Sequence, residues 1–291
     1  MIRFPPKKIL VAYDLSDVSR TAWKHAAALG KECGAALEVV YVEPWQGGVD
    51  VMPPTTLTPA GVAELRGAIS AKVGEGVKVN VLHGDPARRI IAHARLHRPD
   101  MIVVGTRGRK GLKRALLGST AEAVIRSSPV PVLAARGSVR DIRSILAPVN
   151  FTPYAEHGFA YAAAAAAVLS AQLKVLHVTD DPVWSGNLQY RLSNLIHRLP
   201  GELRKRCRAQ SQAAVGGAVK GILKAMRGQD WIVLVAHRKS LLKDAFLGTT
   251  LEQVLRRSTI PVLAVPLAHR AAHLLVAGGK TAGRERSLSL K

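Results

Sequence analysis

The chain holds 291 residues, 48% hydrophobic and 21% charged, which is enough apolar material for packed cores. At roughly 150 residues per domain there is room for two. Lys and Arg number 42 against 20 Asp and Glu, a formal net charge of +22, and Cys33 and Cys207 are the only cysteines. These counts exclude a disordered chain and a disulfide-stapled secreted scaffold. Two cysteines outside any metal-ligand spacing lead us to expect a reducing, cytoplasmic setting.

The longest weakly polar run, Tyr161 to Leu173, is mostly alanine and too short to cross a bilayer. The opening residues meet Lys7, Lys8 and Asp14 before any long apolar stretch, so neither a signal peptide nor a membrane partner is expected. The positive charge is spread along the chain, at +9 over residues 1–138, +9 over 139–266 and +4 over 267–291. Aromatic residues make up only 4%. Spread charge and few stacking platforms argue against specific nucleic-acid binding and favour weak, salt-sensitive adhesion to polyanions.

From the N-terminus onward, short β-branched runs at 9–14, 37–42, 77–82, 101–105 and 131–135 predict buried parallel strands. Helical periodicity fills 17–33, 60–74, 86–98 and 119–127, with Asp17 and Ser119 as expected N-caps and Pro86 in a first turn. Pro44 to Pro59 reads as a loop. The series then repeats. Lys8–Asp14 is echoed by Ser144–Asn150, Val39–Glu43 by Val175–Thr179, Asp100–Gly105 by Asp230–Ala236, and Arg126–Ala134 by Arg256–Ala264. In the second copy strands are expected near 144–149, 173–178, 231–235 and 261–265, with a polar third strand somewhere in 208–215.

Strands separated by helices imply βαβ crossovers. The expected fold is therefore α/β: two tandem doubly wound domains, each a five-stranded parallel sheet of order 3-2-1-4-5 flanked by helices. We place them at residues 1–138 and 139–267, with 137–142 as linker and 268–291 as a basic, mobile tail.

One motif carries chemistry. Gly105-Thr106-Arg107-Gly108 follows the fourth strand, and nine residues later comes Gly118-Ser119-Thr120. Glycines let the main chain turn with positive φ and approach a ligand closely. Ser119 and Thr120 open a helix whose free N–H groups and dipole favour an anion. In an open sheet of this order the ligand sits beyond the carboxyl ends of strands one and four. Asp14 ends the first strand there, and its carboxylate can accept hydrogen bonds from an adenine amino group or ribose hydroxyls. In the basic cluster Arg107, Arg109, Lys110, Lys113 and Arg114, some side chains are candidates to face phosphates, with a solvated loop the alternative.

Val11-Ala12-Tyr13-Asp14-Leu15-Ser16, Val40-Tyr41-Val42, His83-Gly84-Asp85-Pro86 and the intact G-x2-G-x9-G-[ST] signature resemble the universal stress protein (UspA-like) family in a tandem, two-domain form. The resemblance covers about residues 7–136 and 143–266. It implies the adenine nucleotide alpha hydrolase-like fold and a bound adenine nucleotide, ATP or a relative, with accompanying Mg2+ left open. By position it assigns adenosine to Asp14 and Val42, and ribose and phosphates to Gly105, Gly108, Gly118 and Ser119, with Ala12 and Thr120 as further contacts; Arg107 joins these candidates from the basic cluster. Family members usually pair through their last strands, so 131–135 and 261–265 are expected to form an intramolecular pseudo-dimer; a homodimer is the other form.

The second copy departs from the pattern. Asn150 stands in place of Asp14, Ala236 in place of Gly105, and Lys239 falls on or near the second glycine, although Gly248-Thr249 survives. Weak or absent nucleotide binding is expected there. Three other patterns are set aside. Gly279-Lys280-Thr281 looks like the end of a Walker A loop, but Leu274 occupies the first-glycine position. Gly105-x2-Gly108-x2-Gly111 is not the dinucleotide fingerprint. His93 and His97 lie one turn apart, yet Ala94 stands where a zincin needs Glu, so they read as solvated surface residues.

The expected function is a nucleotide-binding stress-response module. A slow ATPase or phosphoryl-transfer enzyme ranks below it, because no carboxylate cluster or obvious general base accompanies the cradle. A nucleotide-free, polyanion-binding scaffold is the third reading.

Overall fold

The computed structural model describes residues 3–44, 58–106, 117–180, 185–236, 249–267 and 275–276. The chain divides into two compact units, Lys7–Val139 and a second made of Met1–Pro6 with Arg140–Lys291.

Unit one alternates β2 (Lys8–Ala12), α1 (Asp17–Cys33), β3 (Ala36–Glu43), α2 (Pro59–Val73), β4 (Lys78–His83), α3 (Pro86–His97), β5 (Met101–Gly105), α4 (Ser119–Ser127) and β6 (Val132–Ala135), with β1 (Arg3–Phe4) preceding it. Its strands run parallel in the order β4-β3-β2-β5-β6. That is 3-2-1-4-5 in chain order, as expected. Ile9, Leu10, Val11, Val39, Val40, Ile102 and Val103 are buried, the continuous apolar run that a sheet covered on both faces requires.

Unit two repeats the plan with β7 (Ser144–Pro148), α5 (Pro153–Val168), β8 (Gln172–Thr179), α6 (Ser185–His197), α7 (Gly201–Cys207), β9 (Gln210–Val215), α8 (Ala218–Ala225), β10 (Trp231–Ala236), α9 (Thr249–Arg257), β11 (Val262–Pro266) and β12 (Leu275–Val276). Its parallel order is β11-β10-β7-β8-β9. The polar third strand is β9. It is half-exposed and pairs on one side with β8, so its sequence needs no apolar run. The alanine run lies in α5, where Tyr161 to Ala167 are all buried. This helix rests on β7 and β10 and also lies against α7 and β1, so small side chains all round let every neighbour come close.

The two copies share their backbone details. Asp100 accepts the N–H groups of Lys7 and Lys8 at 2.8 and 3.0 Å, and Asp230 accepts those of Arg143 and Ser144, both at 2.9 Å. Each carboxylate pins the start of its first strand beside the start of its fourth. The helix caps differ from those expected. Ser16, not Asp17, caps α1 by accepting from Ser19 N–H at 3.1 Å, and Gly118, not Ser119, is the N-cap of α4. Pro86 does open its helix, which Asp85 caps through Arg88 N–H at 2.7 Å.

Candidate functional site

The carboxyl ends of β2 and β5 lie side by side, since Val11 pairs with Val103, and β3 flanks β2 with Ala12 opposite Val40. This register brings Ala12, Asp14, Val42 and Gly105 to one end of the sheet. Thr106 is buried, and its carbonyl accepts the Gly118 N–H at 2.8 Å. That bond seats the start of α4, with Ser119 and Thr120, at the same end. Arg107 and Gly108, with the rest of the basic cluster, lie outside the described residues.

Asp14 sits two residues past its strand. Its Oδ1 accepts the Ser16 N–H at 3.1 Å and the Ser16 hydroxyl, so it holds the residue that caps α1. Leu15 between them adopts φ 66°, a left-handed conformation rare for a residue with a Cβ. Beside it, the Tyr13 hydroxyl is buried without a hydrogen-bond partner among the described residues. At α4 the cap is a glycine and no side chain closes the helix end. The first-turn amides of Ser119, Thr120 and Ala121 thus carry the positive end of the helix unscreened by a cap.

Neither described signature glycine is there for positive φ: Gly118 has φ −64°, and Gly105 falls outside the positive-φ set. Gly105 answers to packing. A Cβ on it would stand 2.7 Å from Val18 Cγ1 and 2.9 Å from the Val18 carbonyl oxygen, so glycine is what lets α1 lie against β5. Unit two reverses the arrangement. Its strand carries Ala236, and the close approach is made from the helix, where a Cβ on Gly158 would meet Val235 Cγ2 at 2.6 Å.

At the matching end of unit two, Asn150 Oδ1 accepts from Thr152 N–H at 3.3 Å and from its hydroxyl at 2.7 Å, and Phe151 takes φ 56°. The turn is the same; the chemistry around it is not. The Phe151 ring packs on His177 with centroids 4.6 Å apart, and the Arg191 guanidinium lies 4.1 Å over it. A cation–π stack of the protein's own side chains occupies the ends of the first two strands.

His93 corrects the sequence reading: it is buried, and its Nε2 lies 3.0 Å from Oε1 of Glu38, itself 2% exposed. Burial pushes the Glu38 carboxyl up, but bonds and charge from Lys8 and His93 more than offset it and hold it down to about 2. Burial pushes the His93 imidazole below its ordinary range, against the pull of Glu38. Spacing could not show this pair. The signal available was a lone glutamate inside the apolar run Ala36–Val42.

No helix among the described residues is long and apolar enough to cross a membrane. The sequence matches the profile of the "Universal stress protein family" twice, over residues 5–136 and 141–266. A universal stress protein of Methanocaldococcus jannaschii is 39% identical over 142 residues, covering 44% of this chain and 80% of that one. One from Synechocystis is 22% identical over 291 residues, covering 88% and 99%. Among solved structures, a universal stress protein from Archaeoglobus fulgidus superposes with a TM-score of 0.70 at 22% identity, over 90% of this chain and 99% of that one. With both halves matched and the whole-length fold shared, the chain belongs to the universal stress protein family as a tandem two-domain member.

Proposed function

We propose that unit one binds ATP or a related adenine nucleotide and that unit two does not, so that the protein works as a nucleotide-dependent regulatory module of the cytoplasm. The observation that carries this is the meeting of Asp14 with the glycine-capped start of α4 at the adjoining ends of β2 and β5. Asp14 would accept from the adenosine, Val42 and Ala12 would flank it, and the amides of Ser119 and Thr120 would take phosphate oxygens. Gly105, Arg107, Gly108 and Gly118 complete the proposed contacts, and Mg2+ would accompany the phosphates. In unit two the Phe151–His177–Arg191 stack and Asn150 support a site that has lost this ligand. Two tandem domains of one family also fit an intramolecular pair. Thiols left free at Cys33 and Cys207 suit a reducing compartment.

Asp14→Asn is the discriminating variant, because Asn150 builds the same turn and so shows that the fold tolerates asparagine there. Losing a hydrogen bond to a charged group costs about 1.5–3 kcal/mol, or roughly 10- to 100-fold in affinity. Fluorescent mant-ATP should bind the full chain saturably, and Asp14→Asn should weaken it by that factor at unchanged melting temperature. Gly118→Val should do the same by crowding the amides. Equal affinity in Asp14→Asn would refute the assignment, and mass analysis of nucleotide released from denatured, freshly purified protein identifies the ligand. Steady phosphate release tracking the bound protein would instead favour the ATPase.

A further inference from the structure

A second cluster lies in the amino-terminal half of the unit-one sheet, whereas Asp14 and Gly105 are at the carboxyl ends. Glu38, third residue of β3, pairs in register with Leu10 and with Lys78, the first residue of β4. A carboxylate that is 2% exposed must be compensated at close range. Lys8 Nζ lies 2.5 Å from its Oε2, and Asn80 Nδ2 (2.8 Å), His93 Nε2 (3.0 Å) and Lys78 Nζ (3.4 Å) surround its Oε1. His97, one helical turn beyond His93 on α3, stacks its ring on that of His93 with centroids 4.1 Å apart. Ligand atoms of Glu38, His93 and His97 all fall within 4.8 Å of one another.

Zinc–ligand bonds of about 2.0–2.2 Å put the donors of a tetrahedral site roughly 3.3–3.5 Å apart. The Glu38–His93 pair is already inside that separation, and the set, nowhere wider than 4.8 Å, needs to close by at most about 1.5 Å. Two imidazoles and one carboxylate are the donors that late first-row dications favour, and three protein ligands leave one position for water.

What stands against a cation here is charge, and the same residues show how it can be relieved. Lys8 and Lys78 already neutralise Glu38, but their side chains are 31% and 60% exposed, so either ammonium can swing into solvent. Lys8 also reaches the His97 carbonyl at 3.4 Å, so it leans over the edge of the cluster.

We infer that Glu38, His93 and His97 form a divalent-metal site, Zn2+ in class, which takes its ion in exchange for the Lys8 ammonium and ties the C-terminal turn of α3 to β3. It shares no residue with the proposed nucleotide site, so each can fail without the other.

The test uses metal-free full-length protein titrated with Co2+, whose ligand-field absorption reports its coordination. One equivalent should bind with visible bands, and Zn2+ should abolish them. His97→Gln leaves the Glu38–His93 bond intact; it should weaken binding at least tenfold with the metal-free melting temperature unchanged. Lys8→Met removes the competing cation and should tighten binding tenfold or more, with Zn2+ raising its melting temperature further than that of the parent. The absence of saturable bands, a His97→Gln titration equal to the parent's, or unaltered affinity in Lys8→Met would each overturn the exchange site.

Discussion

Replacing Gly105 by alanine separates two reasons for a signature glycine: ligand approach and helix packing. The added Cβ would stand 2.7 Å from Val18 Cγ1, 2.9 Å from the Val18 carbonyl oxygen and 3.0 Å from its carbonyl carbon. Two of these three neighbours are backbone, so rotating a side chain cannot relieve the clash and α1 must move. Overpacking of this kind costs about 1–3 kcal/mol, and the lower chain entropy of alanine returns about 0.4–1 kcal/mol. The net is a loss of about 1–2 kcal/mol. For roughly 130 residues the unfolding entropy is about 0.28 kcal/mol per K, which converts the loss to a fall of about 4–7 °C. Calorimetry of the full chain gives the transition, and hydrogen exchange over residues 17–33 and 101–105 assigns it to unit one. Gly158→Ala is the internal control. Its Cβ meets only the Val235 side chain within 3 Å, with the nearest backbone atom at 3.6 Å, so it should cost less than Gly105→Ala. An unchanged melting temperature in Gly105→Ala, with mant-ATP binding lost, would refute the packing account and return the glycine to the ligand.

Two further measurements bear on buried titratable groups. Burial holds the His25 imidazole below its ordinary value near about 6.5, although the carbonyls of Gly137 and Arg136 pull it upward. The unfolded chain then takes up the proton first, so this group's contribution to stability is present at neutral pH and lost as pH falls below about 6.5. The urea midpoint of the parent should drop more between pH 7.5 and 5.5 than that of His25→Gln; parallel profiles would contradict this. Burial, reinforced by Glu32, pushes the Cys33 thiol up to about 12. At pH 8 only roughly one thiol in ten thousand would be ionised, so DTNB should label native Cys33 at least a hundredfold more slowly than the urea-unfolded chain. Similar rates would show an accessible, ordinary thiol.

The sheet of each unit is legible where its strands are buried apolar runs, as in β2, β3, β5, β10 and β11, and the duplication repeats the pattern. β9 was blurred for the opposite reason: an edge strand with exposed residues has nothing apolar to declare. The caps of α1 and α4 each lie one residue before the position that the sequence pattern favours. At α1 the acceptor is Ser16, positioned by Asp14 through a turn that a linear pattern does not display. At α4 a glycine caps with no side chain, and only the serine after it carries the side chain a cap pattern looks for. The motif points to Asp14, Gly105 and Gly118 as candidate contacts, but it does not display the packing of Gly105 against Val18, 87 positions earlier. Glu38 and His93 are 55 positions apart and meet because β3 and α3 lie together, so neither residue's own neighbourhood points to the other.

The first six residues belong with the second unit. Phe4 is fully buried edge-on against Tyr161 with ring centroids 5.6 Å apart, and Arg3–Phe4 pairs with Leu275–Val276. On the ribosome this segment emerges ahead of all its partners and must wait while the whole of Lys7–Val139 is made. The second unit therefore cannot finish assembling in the order of synthesis, and deleting Arg3–Phe4 would perturb the half encoded last.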